Sequence, residues 1–253
     1  MRCLLFFPVK SYLKRHAQSG FTLIELLVVV LILAAIAGTI VVSYDDVGTQ
    51  AQYDTTKFEM AEIRKALLQF RRDSGSRSFP NQGDYDCTVI SSDNFPSEAG
   101  TTNSEKVAWC QSPANFWMLF EDPLDDNNWD PDTHRGWNGP YLQRNNGYLD
   151  IDADYDIDGT MATESDSIID NVWGIASSYL SEPLLSGDLT WRPSISDDDH
   201  AKYGTPYFMF DLADKNKARL VSMSLNNKYE GTNTTAPCSP KTDSDDLILC
   251  LLR

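Results

Sequence analysis

Positive charge is what this sequence has least of. Its 253 residues carry 21 Lys and Arg against 37 Asp and Glu, a formal net charge of −16. Beyond Arg15 no basic patch of useful density occurs, which excludes a phosphate backbone as partner and leaves no nucleic acid expected. Histidine is nearly missing as well: there are three, and His134 and His200 stand in unrelated stretches with no nucleophile beside them. The chain has no Gly-x-Ser-x-Gly, no phosphate-binding loop and no His-Glu-x-x-His, so the common nucleophilic, nucleotide and metalloprotease chemistries lack their residues. In so Asp-rich a chain, choosing two carboxylates as acid and base would be arbitrary. The expectation is a protein that is not an enzyme.

Glutamate and cysteine are scarce in informative ways. Only 9 of the acids are Glu and 28 are Asp, a residue that favours turns, loops and cation sites over helix interiors. This balance suits a calcium-containing exterior, and it suits solubility at high salt equally. Of five cysteines, Cys3 lies close to the start of the sequence, well apart from Cys87, Cys110, Cys238 and Cys250. An even set in an exported domain suggests two disulfides, most simply Cys87–Cys110 and Cys238–Cys250 by proximity, among three possible connectivities. Zinc is the weaker reading, because no C-x-x-C pair occurs.

What the sequence does have is one long apolar run, Phe21 to Val42, interrupted by a single ionisable group, Glu25. As a helix these residues would cover about 33 Å, close to the hydrocarbon thickness of a bilayer. A carboxylate inside such a segment is costly unless neutralised or paired, so its default reading is functional. Arg2, Lys10, Lys14, Arg15 and His16 precede it with no acid among them. Positive charge there holds that end in the cytoplasm and sends the rest of the chain outward. A secretory signal would place small residues after the apolar run; here Ser19-Gly20 comes before it. A protease cutting after Gly20 would trim the basic leader and keep the helix, with Phe21 as the new N-terminus.

Gly20-Phe21-Thr22-Leu23-Ile24-Glu25-Leu26 resembles the processing motif of type IV prepilins and type II secretion pseudopilins. The resemblance implies cleavage between Gly20 and Phe21 by a prepilin peptidase, N-methylation of Phe21, and a helix that leaves the inner membrane to pack into a filament core. Glu25 matches the fifth mature residue of the family, the partner of a neighbouring subunit's N-terminal amine. The plain alternative is a membrane anchor with an accidental Glu.

After the apolar run, Tyr53, Met60, Ile63, Leu67 and Phe70 recur at helical spacings, with Glu59, Glu62, Arg64 and Lys65 on other faces. This predicts an amphipathic continuation of the same helix laid against a sheet. Gly75 supplies a left-handed cap near Asp73-Ser74, and Gly48 is a point where the helix could bend. The stretch from Ser78 to Gln111 reads as loop, and Pro113 to Leu124, with Phe116, Trp117, Met118, Leu119 and Phe120, as a short helix in the core. The parts are a leader at 1–20, a membrane or filament-core half-helix at 21–43, an amphipathic half at 44–75 and a head domain at 76–253. Trimming would leave 233 residues, enough for one head domain with its own core.

Further segments resemble those of the major pseudopilin in the same order. They are Gly136-Trp137-Asn138-Gly139-Pro140-Tyr141-Leu142, read as a turn into a strand, and Asp170-Asn171-Val172-Trp173-Gly174, read as a turn. Gly204-Thr205-Pro206-Tyr207-Phe208 follows as the start of a strand, then Leu220 to Tyr229 as strand and loop, and Asp245-Asp246-Leu247-Ile248 as the last strand. The implied fold is α+β and pilin-like: a long N-terminal helix packed on a small antiparallel sheet with long loops. The implied role is a subunit of a type II secretion pseudopilus in the inner membrane. Its partners would be copies of itself, minor pseudopilins, the prepilin peptidase and an inner-membrane assembly platform. Two departures stand out: the head is longer than a typical major pseudopilin's, and the Cys238–Cys250 pair looks more like the closed terminal loop of type IV pilins used in adhesion, motility or DNA uptake. A membrane-anchored calcium-binding domain that never polymerises is the reading from another class.

Two places suit Ca²⁺. Asp150 to Gly159 sets a carboxylate at every second residue, and Asp154, Asp156, Asp158 and Gly159 meet the first, third, fifth and sixth places of a calcium loop, with Ser165 rather than Glu at the twelfth. A solvated acidic loop is the competing reading. The family resemblance points to a second place, after Leu225, where Asn227, Glu230, Asp243, Asp245 and Asp246 are the matching oxygen donors.

Overall fold

The computed structural model describes residues 21–75, 77–125, 129–144, 147–152, 169–180, 189–195, 203–224, 226, 228–233 and 236–252, with side chains of 36–47 and 180 outside the description. The chain divides into two compact units, 1–48 and 49–253. One helix, α1 (Leu23–Asp73), runs through the boundary, and its backbone stays helical at Gly48, where a bend was open from the sequence.

In the first unit the described side chains, 21–35, are all exposed, Leu23 at 84% and Leu31 at 61%. Apolar surface of this extent needs lipid or protein to cover it. Among the described residues no helix is long and apolar enough to cross a membrane. The span read from Phe21 to Val42 is described in its side chains only as far as Ala35, which is short of bilayer thickness.

The second unit is built on the other half of α1. Thr56, Met60, Ile63, Leu67 and Phe70 are buried, three or four residues apart, with Ala66 buried beside Leu67, while Lys57, Ala61, Glu62 and Lys65 face out. That is the amphipathic stripe expected from the sequence. The helix stops where Gly75 turns left-handed at φ 68°, a conformation that costs glycine nothing.

The strands are β1 (Tyr148–Ile151), β2 (Ile169–Val172), β3 (Ala176–Leu180), β4 (Leu189–Arg192), β5 (Gly204–Phe210), β6 (Arg219–Ser222), β7 (Thr232–Asn233), β8 (Ala236–Pro240) and β9 (Leu247–Cys250). Among the described residues they form three antiparallel sheets, in the orders β2-β1-β4, β3-β5-β6-β9 and β7-β8, where the sequence suggested one small sheet. In β5 every residue is buried, as a strand covered on both faces must be. Tyr207 reaches the α1 side, its hydroxyl donating to Glu59 at 2.6 Å, and Phe208 and Phe210 lie parallel at 6.0 Å, Phe210 stacking on Tyr229 at 4.8 Å. Glu59 also accepts from the Ser178 backbone N–H at 3.1 Å, and the Arg64 guanidinium donates to the Leu251 carbonyl at 3.0 Å. The helix is thereby tied to β3, to β5 and to the chain just past β9.

Three local expectations are corrected. Residues 78–111 are not all loop: they hold three 3₁₀ turns and α2 (Asn103–Gln111). The signal for α2 was a capping box, Thr102 accepting from the Glu105 N–H while Glu105 accepts from the Thr102 N–H. The stretch after Gly136 does not lead into a strand at Tyr141. The Tyr141 and Leu142 N–H groups donate to the Leu119 carbonyl at the end of α3 (Trp117–Phe120), and among the described residues the first strand begins at Tyr148. Asp170 to Val172 belongs to β2, with Asn171 at φ 59° beside the register shift between Leu149 and Ile151; the turn follows, closed by Gly174 N–H to the Val172 carbonyl.

The aromatic cluster lies in the core as expected, with Trp117 next to Phe95 at 5.2 Å and Trp109 at 5.6 Å. Cys87 and Cys110 form a disulfide with Cα atoms 5.9 Å apart, and so do Cys238 and Cys250, at 5.4 Å.

Leu67 is fully buried at the centre of the α1 stripe. Leu67→Ala is expected to destabilise the second unit by about 3 kcal/mol in urea unfolding, whereas Glu62→Ala on the exposed face stays within about 0.5 kcal/mol. Equal effects would contradict the assignment of the buried face.

Candidate processing motif and cation cluster

The N-terminal site begins at Phe21, 81% exposed, followed by Thr22 as the cap of α1. The Thr22 hydroxyl accepts from the Glu25 N–H at 3.3 Å, and Glu25 Oε2 accepts from the Thr22 N–H at 2.9 Å and from its hydroxyl at 2.8 Å. This is a capping box that satisfies two of the N–H groups a helix start leaves open. In the single chain, therefore, Glu25 already has a job: it closes the first turn. A sequence reading that asked only who neutralises the carboxylate did not find this, although Thr-x-x-Glu is the signature of such a cap. Gly20 lies outside the described residues.

The second site assembles at the end of the large sheet. Glu230, Asp245 and Asp246 bring one carboxylate oxygen each to within 4.8 Å of one another. The backbone builds the cluster. The Glu230 N–H donates to Asp246 Oδ2 at 3.0 Å, the Asn226 N–H to Asp245 Oδ2 at 3.3 Å, and the Asn226 amide to Glu230 Oε1 at 2.8 Å. Asp246 itself is held by its own N–H, which donates to the Ser244 hydroxyl at 3.1 Å.

Asp246 is 3% exposed. Its Oδ1, like Glu230 Oε2, is buried and accepts no hydrogen bond among the described residues. A buried carboxylate oxygen without a donor costs free energy, and a bound cation would remove that cost. The donors are all oxygen, the set a hard cation prefers. Burial, with Glu230 and Asp245 adding to it, pushes the Asp246 carboxyl from the ordinary 3.8 up to about 6, against the pull of the Glu230 N–H and Ser244.

Of the residues matched to this loop, Glu230, Asp245 and Asp246 come together. Asp243 sits in the exposed turn before them at φ 70° and is not part of the cluster. Asn227 lies outside the described residues, as do Asp154, Asp156 and Asp158 of the other calcium loop. At the base of that loop Asp150 is described: Arg192 bridges it through two nitrogens and reaches Asn171 Oδ1 at 2.9 Å.

Residues 15–41 match the family model described as the prokaryotic N-terminal methylation motif. The chain carries a prepilin-type methylation motif. That motif marks prepilin-like pseudopilins and type IV pilins, and it contains Gly20, Phe21 and Glu25. It indicates a structural subunit, processed by a prepilin peptidase and assembled into a pilus-like polymer. No curated protein and no solved structure matches the chain.

The raised Asp246 carboxyl fixes a sign. The folded chain holds that proton more tightly than the unfolded chain, so the group's contribution to stability is greatest below about pH 4 and is lost as pH rises toward 6. In chelator, urea unfolding is expected to show the wild type losing up to about 3 kcal/mol across this window relative to Asp246→Asn. Parallel pH profiles for the two proteins would refute the assignment.

Proposed function

We propose that this chain is a structural subunit of a type II secretion pseudopilus. The observation that carries the proposal is the methylation motif at 15–41 followed by a single 51-residue helix. Peptidase cleavage after Gly20 would free Phe21 for N-methylation. The apolar first part of α1, exposed on every described side chain, would be held in the inner membrane before assembly and among neighbouring helices afterwards. The head would face the periplasm, and assembly would be mechanical: subunits pulled from the membrane by an ATP-driven platform and stacked through their helices. An α+β head with antiparallel sheets behind the helix supports a pilin-like architecture.

In the filament, Glu25 would exchange its own cap for a neighbour's N-terminal ammonium. Among packed Leu, Val and Ile the charge needs that partner. In the same reading Glu230, Asp245 and Asp246 hold Ca²⁺ and fix the loops that join β6 to β9. The Cys238–Cys250 bridge favours a second reading, a type IV pilin serving adhesion, motility or DNA uptake; secretion of a marker exoprotein against twitching or DNA uptake in a deletion strain separates the two.

Glu25→Gln separates the two roles of that residue, since Gln can close a capping box but carries no charge. Electron microscopy of cells overproducing the wild type should show filaments, and the Gln variant should show none while mass spectrometry still finds a mature N-terminus at methylated Phe21. Normal filaments from Glu25→Gln would contradict the ammonium pairing. For the cation, millimolar Ca²⁺ should raise the melting temperature of the purified chain and leave Asp246→Ala unmoved; a wild-type melt indifferent to Ca²⁺ and to chelator removes the calcium assignment.

A further inference from the structure

The cation cluster and the C-terminal disulfide close overlapping pieces of chain. The cluster joins Glu230 to Asp245 and Asp246, ringing residues 230–246. The disulfide joins Cys238 in β8 to Cys250 in β9, 12 residues apart, and both aspartates fall inside its loop. Around the cluster the Asn226 N–H donates to Asp245 and the Glu230 N–H to Asp246. The far side of the loop is anchored better: β9 pairs with β6 from Leu247 to Cys250, and β8 with β7.

We infer that the Cys238–Cys250 disulfide and the Glu230–Asp245–Asp246 cluster act as one thermodynamic unit, in which the disulfide sets the cluster's affinity for a divalent cation and the cation in turn protects the disulfide from reduction. This rests on the calcium reading of the cluster. The physical reason is loop entropy. Three carboxylates within 4.8 Å repel one another, and without a cation that repulsion works to open the segment that carries them. A cation must then gather residues 239–246 against Glu230, and the gathering costs less when the same segment is already closed at 238 and 250. Two crosslinks that share a segment each lower the entropy left for the other to remove, and such coupling is reciprocal. The disulfide forms only in an oxidising compartment, so the unit would be completed only once the head has been exported.

Ca²⁺ titration of the full chain in detergent tests the first half. Cys238→Ala/Cys250→Ala should bind Ca²⁺ at least about fivefold more weakly than the wild type, at the low end of ordinary coupling between sites, while near-ultraviolet dichroism confirms its fold. The second half needs no variant. Dithiothreitol opens the wild-type S–S bond to two thiols by giving up two electrons and two protons, closing to its own cyclic disulfide, and iodoacetamide traps the thiols for mass spectrometry. Millimolar Ca²⁺ should slow trapping at Cys238 and Cys250 about fivefold and leave Cys87 and Cys110 unchanged. Either equal Ca²⁺ affinity in the two proteins or Ca²⁺-independent reduction would overturn the coupling alone, whereas a wild type that binds no Ca²⁺ would overturn the calcium reading with it.

Discussion

The stripe Met60, Ile63, Leu67 and Phe70 is the surface over which the head closes. It is apolar enough to require burial, and it is continuous because nothing in α1 from Thr49 to Asp73 breaks the helical period. The sheet that covers it must present a strand able to lose water on both faces, which β5 does through seven consecutive buried residues. Apolar packing fixes depth but not direction. Direction comes from Glu59, whose carboxylate holds a backbone N–H of β3 and the Tyr207 hydroxyl of β5, and from Arg64, which holds the chain end at Leu251. Burial together with the Glu59 carboxylate drives the Tyr207 hydroxyl far above the ordinary tyrosine range, so this contact stays neutral on the tyrosine side at any physiological pH.

How much of this was legible in the residues depended on the range of the signal. The α1 stripe and the glycine stop at Gly75 are local patterns of period or conformation, and both were read correctly. The two disulfides came from proximity and parity. Two strands that the resemblance implied are present: Gly204 and Leu247 each begin one. What failed was pairing. Three sheets could not be told from one, since which strands hydrogen-bond is decided by contacts between residues far apart in sequence. Tyr141 shows the cost: its stretch looks like a strand, yet its N–H goes to Leu119.

The two capping boxes make the complementary point. Thr102 to Glu105 and Thr22 to Glu25 share one spacing, and both were present in the sequence. The first was overlooked because its surroundings are polar; the second was eclipsed by the oddity of a charge in an apolar run. Of the five residues the sequence pointed to in the cation cluster, four are described and three of those come together. Asp243 is separated by a single left-handed turn, a detail of φ that no residue pattern specifies.

The Arg192 clamp acts beyond the sheet it stabilises. Arg192 neutralises Asp150 and ties β4 and β1 to Asn171 of β2, so both ends of the acidic segment between β1 and β2 are locked at its stem. Closure entropy rises only slowly with loop length once the ends are fixed. The stem therefore works as a port: because closure entropy changes slowly with the number of residues between 152 and 169, a tag spliced in there is expected to cost the sheet little.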